Sequence, residues 1–360
     1  MTNDEFLMTK EIQMTNDQFL RGGGYAASTS VGKSVCKRVK IQTVWQRLHP
    51  SFGLRYSLVI RQSSFVIPLF ATIRKILVWL LPLAFVQISA VAETVTNGQL
   101  PGIQWHAETR TAPPQRLYIA EVDLTNPRVH LRVAPGGPEP DGPGQWETTL
   151  LEPTKIAQRD KFDLVVNGDF FIAKGVNDGE GTNAHFRAKQ WARAEGPAMT
   201  DGRTWSTSTN AHPCLVVHKD ATVTIESLTQ PSADNWEVIG GGPRLVHNGI
   251  ASPKTNDVAA LHRKNIRHPR TAVGLDATGT KLTILVVDGR KRGVALGMTF
   301  SELAAEMVRL GCKEALNLDG GGSSLLAVQD PKTGRMKILN HPTDGHERAV
   351  VNALGVYLDN

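Results

Sequence analysis

Alternation of apolar and polar residues predicts short β-strands along most of the chain. Residues 117–123 and 129–133 alternate in this way on either side of Asn126-Pro127, which predicts two strands joined as a hairpin. Other apolar runs bounded by turn residues predict further strands at residues 164–167, 214–218, 223–226, 236–239, 282–287, 315–318, 323–328 and 349–358. The long polar stretch over residues 177–210 predicts a functional or mobile loop.

Two stretches predict helices. Residues 148–159 predict a short one, and residues 298–310 show the clearest helical periodicity in the chain. In the second stretch Thr299 can cap the N-terminus, and Glu302, three residues later, completes a capping box. Gly311 then supplies the C-terminal stop.

The order of these elements predicts the fold class. Strand 282–287, helix 298–310 and strand 315–318 should form a right-handed crossover, which makes the two strands parallel and places their carboxyl ends on one edge of the sheet. The 33 Gly and 20 Pro suit many short strands better than a helical bundle. We therefore predict an α+β fold, a single β-rich domain over residues 116–360 with a mixed sheet and a few helices.

An apolar run precedes this domain. Residues 76–92 read ILVWLLPLAFVQISAVA, follow two basic residues and end in the small-x-small triplet closed by Ala92. This pattern predicts a signal peptide cleaved after Ala92, and hence an exported protein, periplasmic or extracellular. An uncleaved membrane anchor is the alternative, which Pro82 and Gln87 disfavour because they weaken the run.

The sequence on either side of the apolar run is less informative. Residues 1–75 form an N-terminal extension that contains the near-repeat MTNDEFL and MTNDQFL, and a start codon further downstream would account for it. Residues 93–115 are polar and contain proline, which predicts a linker or an ordered lead-in to the domain.

Composition excludes several classes of protein. Of the 360 residues, 41% are hydrophobic and 21% charged, as in globular proteins. The net charge of +6 is spread along the chain, so no nucleic-acid partner is predicted. Cys36, Cys214 and Cys312 lack the spacing of a zinc ribbon or finger. In an oxidising compartment Cys214 and Cys312 could pair, or both could be buried thiols.

Aspartate and glycine occur together at the ends of three predicted strands. Asp169, Asp288 and Asp319 each follow an apolar run. Ligands bind beyond the carboxyl ends of parallel strands, so the crossover predicts that Asp288 and Asp319 share a crevice. Asp169 joins them by analogy only. Turn aspartates that cap their own backbone are the alternative for each of the three.

The segment DGGGSS over residues 319–324 is the most distinctive. Its glycines, Gly320, Gly321 and Gly322, can expose successive backbone N–H groups to a phosphate or an oxyanion, and Ser323 adds a hydroxyl donor. The segment is not a Walker loop, because no Gly-Lys-Ser/Thr follows. A flexible hairpin is the alternative.

A second glycine cluster and three arginines are further candidates for phosphate binding. Gly241 and Gly242 precede Arg244, while Arg270 and Arg348 each stand just before an apolar strand. Each guanidinium could present a planar fork to a phosphate, or could be solvated or held in a structural ion pair. The histidines show no metal spacing, and no G-x-S-x-G motif supports a Ser-His-Asp triad.

Six segments, in order, resemble the motifs of the phosphodiester glycosidase family, which includes bacterial relatives labelled as exopolysaccharide biosynthesis proteins. They are VNGDFF at 166–171, IGGGPRLV at 239–246, HPRTAVGLD at 268–276, VVDGR at 286–290, LNLDGGGSS at 316–324 and ERAVVNALGV at 347–356. The resemblance covers residues 116–360. It implies a hydrolase that cleaves the glycosidic carbon–oxygen bond of a sugar 1-phosphodiester, freeing the sugar and leaving a phosphomonoester, with a role in envelope or exopolysaccharide metabolism.

The resemblance also implies roles for particular residues. Asp319 supports the oxocarbenium-like centre or activates water, with Asp288 as its partner. The substrate-binding residues are Asn167, Gly168, Asp169, Gly241, Gly242, Arg244, Arg270, Gly320, Gly321, Gly322, Ser323 and Arg348. Of these, Arg244, Arg270, the three glycines from 320 to 322 and Ser323 are expected on the phosphate, and Asn167 on a sugar hydroxyl. Asp169 stands where the family often has glycine, which puts its role in doubt.

Two other functions are compatible with these residues. One is a phosphodiesterase that cuts at phosphorus, and the other is a non-catalytic glycan-binding protein that assists polysaccharide assembly or export. The expected partner is a sugar phosphate or a glycan, and a membrane is contacted only through the signal peptide or an uncleaved anchor. The sequence requires no cofactor. Carboxylates suit a hard cation such as calcium, but no spacing demands one and no metal ligand is assigned.

Overall fold

The computed structural model describes residues 93–179, 185–254 and 265–359. The extension at 1–75 and the predicted signal peptide at 76–92 lie outside the described residues. In the part of the chain that is described, no helix is long and apolar enough to cross a membrane.

The described residues form many short strands and few helices. In chain order the strands are β1 Glu93–Leu100, β2 Ile103–Thr111, β3 Pro114–Asp123, β4 Val129–Pro135, β5 Thr148–Thr149, β6 Leu164–Asn167, β7 Phe171–Ala173, β8 Trp191–Ala194, β9 Ala198–Thr200, β10 Arg203–Ser206, β11 His212–His218, β12 Val223–Leu228, β13 Asn235–Gly240, β14 Arg244–His247, β15 Ile250–Lys254, β16 Arg270–Leu275, β17 Lys281–Val287, β18 Glu314–Leu318, β19 Leu326–Gln329, β20 Met336–Ile338 and β21 Asn352–Leu358. The helices are α1 Pro153–Asp160 and α2 Phe300–Arg309, with a 3₁₀ turn at Gly321–Ser323.

These strands form four sheets. The largest has eight strands in the order β1-β2-β3-β17-β16-β18-β14-β15. Two five-stranded sheets have the orders β10-β9-β13-β11-β12 and β20-β19-β6-β21-β4, and a three-stranded sheet has the order β5-β8-β7. The protein is therefore β-rich with few helices, as predicted, but it has several sheets rather than one.

Period-two alternation along β17 explains how the layers stack. Its residues Leu282, Ile284 and Val286 enter a core shared with strands of both five-stranded sheets. Leu285 and Val287 point to the other face and pack with α2 in a separate cluster. The eight-stranded sheet is thus buried on both faces along β17, which accounts for the nearly continuous apolar sequence of this strand.

The strand, helix and strand arrangement differs from the expected crossover. β17 and β18 each pair antiparallel with β16, which lies between them. They therefore run in the same direction and bring their carboxyl ends to one edge, but they are not neighbours. A mixed sheet is wrong for the described strands, because every strand pair in them is antiparallel.

The predicted hairpin of β3 and β4 is also wrong. Both strands exist, but β3 pairs with β2 and β17, whereas β4 pairs with β21 in another sheet. Alternation specifies a strand and its buried face, but it does not specify the neighbour. Here Val122 of β3 and Val133 of β4 contribute to the same core from different sheets.

Three further segments differ from the pattern-based expectation. The predicted loop at residues 177–210 contains β8, β9 and β10. The predicted helix at residues 148–159 begins only at Pro153, a residue well suited to the first helical turn because its missing N–H is not needed there. Residues 93–115, predicted as a linker or lead-in, contain β1 and β2, both hydrogen-bonded into the eight-stranded sheet.

Helix α2 and its capping box are confirmed. Thr299 Oγ1 accepts a hydrogen bond from the Glu302 N–H at 3.1 Å, and Glu302 Oε2 accepts one from the Thr299 N–H at 2.9 Å. Gly311 follows the helix with a left-handed φ of 90°. These local signals need no tertiary partner, which is why the sequence located this helix to within two residues at either end.

The two cysteines in the described residues do not pair. Cys214 and Cys312 are both free and buried. They belong to separate apolar clusters, so the alternative of two buried thiols describes them.

Candidate active site

Asp288 and Asp319 lie at the same edge of the eight-stranded sheet, on either side of the chain that enters β16. The glycine after each aspartate packs closely against Pro269. A Cβ added to Gly289 would lie 2.6 Å from the Pro269 nitrogen, and one added to Gly320 would lie 2.7 Å from the Pro269 carbonyl oxygen. Glycine is therefore required at both positions, since a side chain would collide with backbone.

The turn that follows β18 is held by backbone hydrogen bonds. The Asp319 N–H donates to the Gly168 carbonyl oxygen at 2.9 Å, and the Gly321 N–H donates to the Pro269 carbonyl oxygen at 3.0 Å. Asp319 Oδ1 accepts from the Gly320 N–H at 2.8 Å. The carboxylate thus has one oxygen bound to its own turn, and the residue is partly exposed at the sheet edge.

Asn167 supports this turn from below. Its side chain is 0% exposed. Its Nδ2 donates to the Asp319 carbonyl oxygen at 2.7 Å, while its Oδ1 accepts from Thr271 Oγ1 at 2.8 Å and from the Leu325 N–H at 3.1 Å. The predicted contact of Asn167 with a sugar hydroxyl is therefore corrected, because all of its polar capacity lies inside the protein.

Asp169 is enclosed rather than open to a ligand. It is 1% exposed, and its two oxygens accept from the Phe170 N–H at 2.7 Å and the Gly196 N–H at 2.8 Å. An added Cβ at Gly196 or Gly240 would come within 2.8 Å of Asp169 Oδ2. The predicted substrate-binding role of Asp169 is therefore corrected. Burial raises its pKa to about 8, and the nearby negative charge of Asp319 acts in the same direction.

This buried carboxyl predicts an unusual dependence of stability on pH. The folded pKa of about 8 lies above the ordinary value of 3.8, so folding favours the protonated form. The stabilisation is complete below about pH 4 and is lost as the pH rises through the folded pKa. We expect Asp169 to contribute a fall of about 2–3 kcal/mol in the free energy of unfolding in urea between about pH 5 and pH 7.

Two substitutions check this expectation. Asp169→Asn should reduce the slope of the free energy of unfolding against pH, because one titrating group is removed. The substitution also loses one acceptor for a backbone N–H. The control Asp220→Asn removes an exposed carboxyl whose pKa is lowered by Thr222, and it should leave the slope above about pH 5 unchanged. An equal slope in wild type and Asp169→Asn would show that Asp169 is ionised in the folded protein.

The second glycine cluster does not offer its N–H groups to a ligand. The Gly241 N–H donates to the Pro213 carbonyl oxygen at 3.0 Å, and the Gly242 N–H donates to the Asn317 carbonyl oxygen at 2.7 Å. Both donors are used within the fold. These bonds join the segment after β13 to β11 and β18, which disfavours the predicted substrate-binding role of Gly241 and Gly242.

Two of the predicted arginines have structural partners. Arg244 donates to Glu314 Oε2 from Nε at 3.1 Å and from Nη2 at 2.5 Å, towards the start of β18 and away from Asp319. Arg270 is 6% exposed, donates to the Met298 carbonyl oxygen at 3.0 Å and stacks on Phe300 at 3.9 Å. The expected phosphate contacts of both residues are corrected, since each guanidinium is held elsewhere.

Arg348, predicted as a substrate-binding residue, lies at the glycine turn. An added Cβ at Gly322 would collide with the Arg348 guanidinium, so this side chain rests directly on the turn. Asp344 Oδ2 accepts from Arg348 Nε at 2.9 Å and Nη2 at 2.7 Å, and the Phe186 ring lies 4.9 Å from the guanidinium carbon. Ser323, by contrast, is 1% exposed and its hydroxyl has no partner in the described residues, so it lies beneath the turn.

Arg290 is a site residue that the sequence reasoning missed. Its Nη2 lies 3.0 Å from where a Cβ on Gly321 would stand, so Arg290 and Arg348 cover successive glycines. Arg290 is exposed, and it forms no salt bridge with an acidic side chain of the described residues. Its φ of 60° is uncommon for a residue with a side chain, and such conformations concentrate at functional sites. The sequence signal that could have identified Arg290 is its position as the last residue of the VVDGR motif.

Asp288 is buried at the same edge. It is 4% exposed, and it accepts hydrogen bonds from the His341 N–H at 2.9 Å and from Asn340 Nδ2 at 3.4 Å. His341 Nδ1 and the Tyr118 hydroxyl lie 3.1 and 3.3 Å from its Oδ2. Burial raises the pKa of Asp288 against the effect of these donors. The carboxylate is enclosed by protein groups, which disfavours the predicted direct contact of Asp288 with a substrate.

These residues indicate which kind of substrate the site suits. A partly exposed carboxylate, a rigid glycine turn and two guanidiniums meet at one edge of an antiparallel sheet, which suits an anionic substrate cleaved beside a carboxylate. No cluster of three or more His, Cys, Asp or Glu side chains that could hold a metal ion occurs in the described ranges.

The family is defined by sequence comparison. The model of the phosphodiester glycosidase family matches residues 160–357, more than half of the chain. The chain therefore belongs to the phosphodiester glycosidase family, in agreement with the resemblance of its motifs.

Solved structures share the fold. The catalytic domain of zebrafish N-acetylglucosamine-1-phosphodiester alpha-N-acetylglucosaminidase, auto-inhibited by its pro-peptide, is similar with a TM-score of 0.54 and 21% identity, over 76% of this chain and 85% of that one. A protein from Burkholderia pseudomallei K96243 has a TM-score of 0.51 and 15% identity, over 68% of this chain and 74% of that one.

A curated relative matches a shorter stretch. The SPbeta prophage-derived uncharacterized protein YomE of Bacillus subtilis (strain 168) is 38% identical over 106 residues, which are 29% of this chain. This chain spans only 15% of the length of that relative.

Proposed function

We propose that this protein is a hydrolase that cleaves the glycosidic bond of a sugar 1-phosphodiester and releases the sugar and a phosphomonoester. The observation that carries the proposal is the placement of Arg290 and Arg348 over Gly321 and Gly322, in the turn that begins with Asp319. Guanidiniums recognise phosphate oxygens through paired hydrogen bonds.

The charges at the site suit this leaving group. Asp344 balances much of the Arg348 charge, whereas Arg290 has no recorded acidic partner among the described residues. Arg290 therefore supplies most of the unbalanced positive charge for a phosphodiester that carries one negative charge. As the carbon–oxygen bond breaks, a second negative charge develops on the phosphate, and fixed donors that stabilise it lower the barrier.

Asp319 is assigned to the sugar side of the reaction. Its carboxylate is fixed by the Gly320 N–H at 2.8 Å, so it is oriented before substrate binds. A carboxylate beside the anomeric carbon stabilises the oxocarbenium-like transition state electrostatically or by covalent attack. In this proposal the phosphate lies on the glycine turn and the anomeric carbon faces Asp319.

A product-resolved assay in isotopically labelled water tests the reaction. The full chain is incubated with a panel of sugar 1-phosphodiesters in ¹⁸O-water. Cleavage at carbon places the label in the released sugar, whereas a phosphodiesterase that cuts at phosphorus places it in the phosphate product. Label in the phosphate would overturn the proposal in favour of the phosphodiesterase. Glycan binding without any turnover would favour a non-catalytic binding protein.

We further propose that the protein is exported and acts in envelope or exopolysaccharide metabolism. The support for export is the apolar run at residues 76–92 and its small-x-small ending before Glu93. N-terminal sequencing of protein recovered from the periplasm or the medium should begin at Glu93. Recovery in the membrane fraction with residues 76–92 retained would instead indicate an uncleaved anchor.

A further inference from the structure

His341 and its partners form an arrangement with a buried and an exposed end. The His341 side chain is 62% exposed, whereas Asp288 and Tyr118 beneath it are 4% and 7% exposed. His341 Nδ1 lies 3.1 Å from Asp288 Oδ2 and 2.8 Å from the Tyr118 hydroxyl oxygen. No partner is recorded for His341 Nε2 in the described residues. The ring is therefore held from below at one nitrogen only.

These contacts determine the tautomer. An unprotonated Nδ1 would place its lone pair against the Asp288 carboxylate, so Nδ1 carries the proton and donates it to this acidic cluster. Burial raises the pKa of Tyr118, which keeps its hydroxyl protonated and able to donate to Asp288 Oδ2. Nε2 is then the unprotonated nitrogen of the neutral imidazole and a proton acceptor on the exposed side.

The same segment is attached to the glycine turn. Asn340 Nδ2 donates to the Ser324 carbonyl oxygen at 3.0 Å, and Asn340 Oδ1 accepts from the Leu326 N–H at 3.0 Å. Three residues after His341, Asp344 holds Arg348 on Gly322. His341 and Asp344 are thus at most about 11 Å apart from Cα to Cα, because they are three positions apart along the chain. His341 is therefore close to the phosphate side of the site.

We propose that His341 is a catalytic residue of this protein, with Nε2 as the general base that takes a proton from the attacking water, and that Asp288 and Tyr118 are its positioning residues. The inference rests on the proposed hydrolysis. The water oxygen bonds to the anomeric carbon and its proton moves to Nε2. The carbon–oxygen bond to the phosphate breaks, and its electron pair leaves with the phosphate oxygen. The imidazolium then returns the proton to solvent.

Two buried side chains orient the ring. Asp288, directly after β17, and Tyr118 of β3 both lie within hydrogen-bond distance of His341 Nδ1. General-base catalysis requires Nε2 to stay unprotonated and fixed towards the attacking water. Asp288→Asn removes the carboxylate that holds Nδ1–H, so it should lower kcat more than it changes KM.

Kinetics of the full chain on a sugar 1-phosphodiester test the proposal. His341→Gln should lower kcat by about 10²-fold and leave KM within a few-fold of wild type. Added imidazole should restore part of the activity of His341→Gly, because the exposed ring position is open to solvent. The matched control His346→Gln changes an exposed histidine five residues on and should alter neither kcat nor KM. The melting temperatures of the variants should lie within a degree or two of wild type, as expected for exposed positions. A loss of activity then does not come from unfolding.

The outcomes distinguish the role of His341 from the proposed function. If wild type turns over the substrate and His341→Gln has an unchanged kcat, the catalytic role of His341 is overturned and the proposed function stands. Absence of turnover by wild type on every sugar 1-phosphodiester would overturn the proposed function and the role together. Nitrogen NMR of the full chain gives a test without substrate, since the His341 ring should be protonated at Nδ1 near pH 8. A ring protonated at Nε2 would overturn the proposal.

Discussion

Asp319→Asn should lower kcat by at least about 10³-fold while leaving the affinity for a sugar 1-phosphate within a few-fold of wild type. The asparagine side chain has the same shape and keeps an oxygen to accept the Gly320 N–H bond of 2.8 Å, so the turn should persist. It lacks the negative charge that supports the oxocarbenium-like centre. Steady-state kinetics and calorimetric titration with the sugar 1-phosphate measure the two quantities separately.

A second aspartate serves as the control for this substitution. Asp330→Asn changes a partly exposed turn residue that accepts from the Lys332 N–H at 2.8 Å, and it should leave kcat unchanged. If Asp319→Asn loses affinity in parallel with kcat, the substitution has disturbed the phosphate contacts and the assignment to the sugar side is wrong. If Asp319→Asn retains kcat, another group supports the transition state.

Arg290→Ala should lower kcat/KM by about 10²- to 10³-fold, more than any other arginine substitution outside Arg348. Its guanidinium rests on Gly321 without a recorded acidic partner in the described residues, so its full charge is available to the phosphate. Because that charge increases in the transition state, both kcat and KM should change. The loss should be larger for a phosphodiester than for an uncharged aryl glycoside of the same sugar.

Arg292→Ala is a matched control for Arg290. Arg292 lies two residues on, is exposed and carries the same charge, so its removal changes the net charge of the protein equally. Long-range attraction of an anionic substrate would be weakened alike in both variants and screened by salt. We expect Arg292→Ala to retain kcat/KM within a few-fold. Equal losses in the two variants would indicate general electrostatic attraction instead of a phosphate contact.

The sequence located most strands and α2 because their signals are local. β6 at Leu164–Asn167 and the capping box at Thr299 and Glu302 required only alternation and short-range hydrogen bonding. The pairing of strands was harder to predict from the sequence. β16 and β17 pair as a local hairpin across residues 276–280. The pairing of β16 with β18 joins segments on either side of α2 and depends on which apolar faces meet across the core, which no local pattern encodes.

Some residues of the candidate site were likewise recognised from the sequence, and the roles of others became clear only from the structure. Asp319 and its glycines were recognised as a motif, and Arg348 lies on them. Asn167 and Asp169 belong to an equally distinctive motif, yet both side chains are buried. Asn167 holds the glycine turn through the Asp319 carbonyl oxygen, and Asp169 accepts from the N–H groups of Phe170 and Gly196. Motif residues that bind a ligand and motif residues that position them look alike in sequence, because both are fixed in type by their surroundings.

By itself, the sequence determined that this is a β-rich protein of the phosphodiester glycosidase family, with an aspartate and three glycines at the centre of its most distinctive motif. Only the tertiary structure decided which arginines reach that turn. Arg244 and Arg270 are held by Glu314 and the Met298 carbonyl, whereas Arg290 and Arg348 rest on Gly321 and Gly322. The physical reason is that a guanidinium goes to whichever acceptor the packing of distant strands brings within hydrogen-bond distance, and the order of residues along the chain does not record that distance.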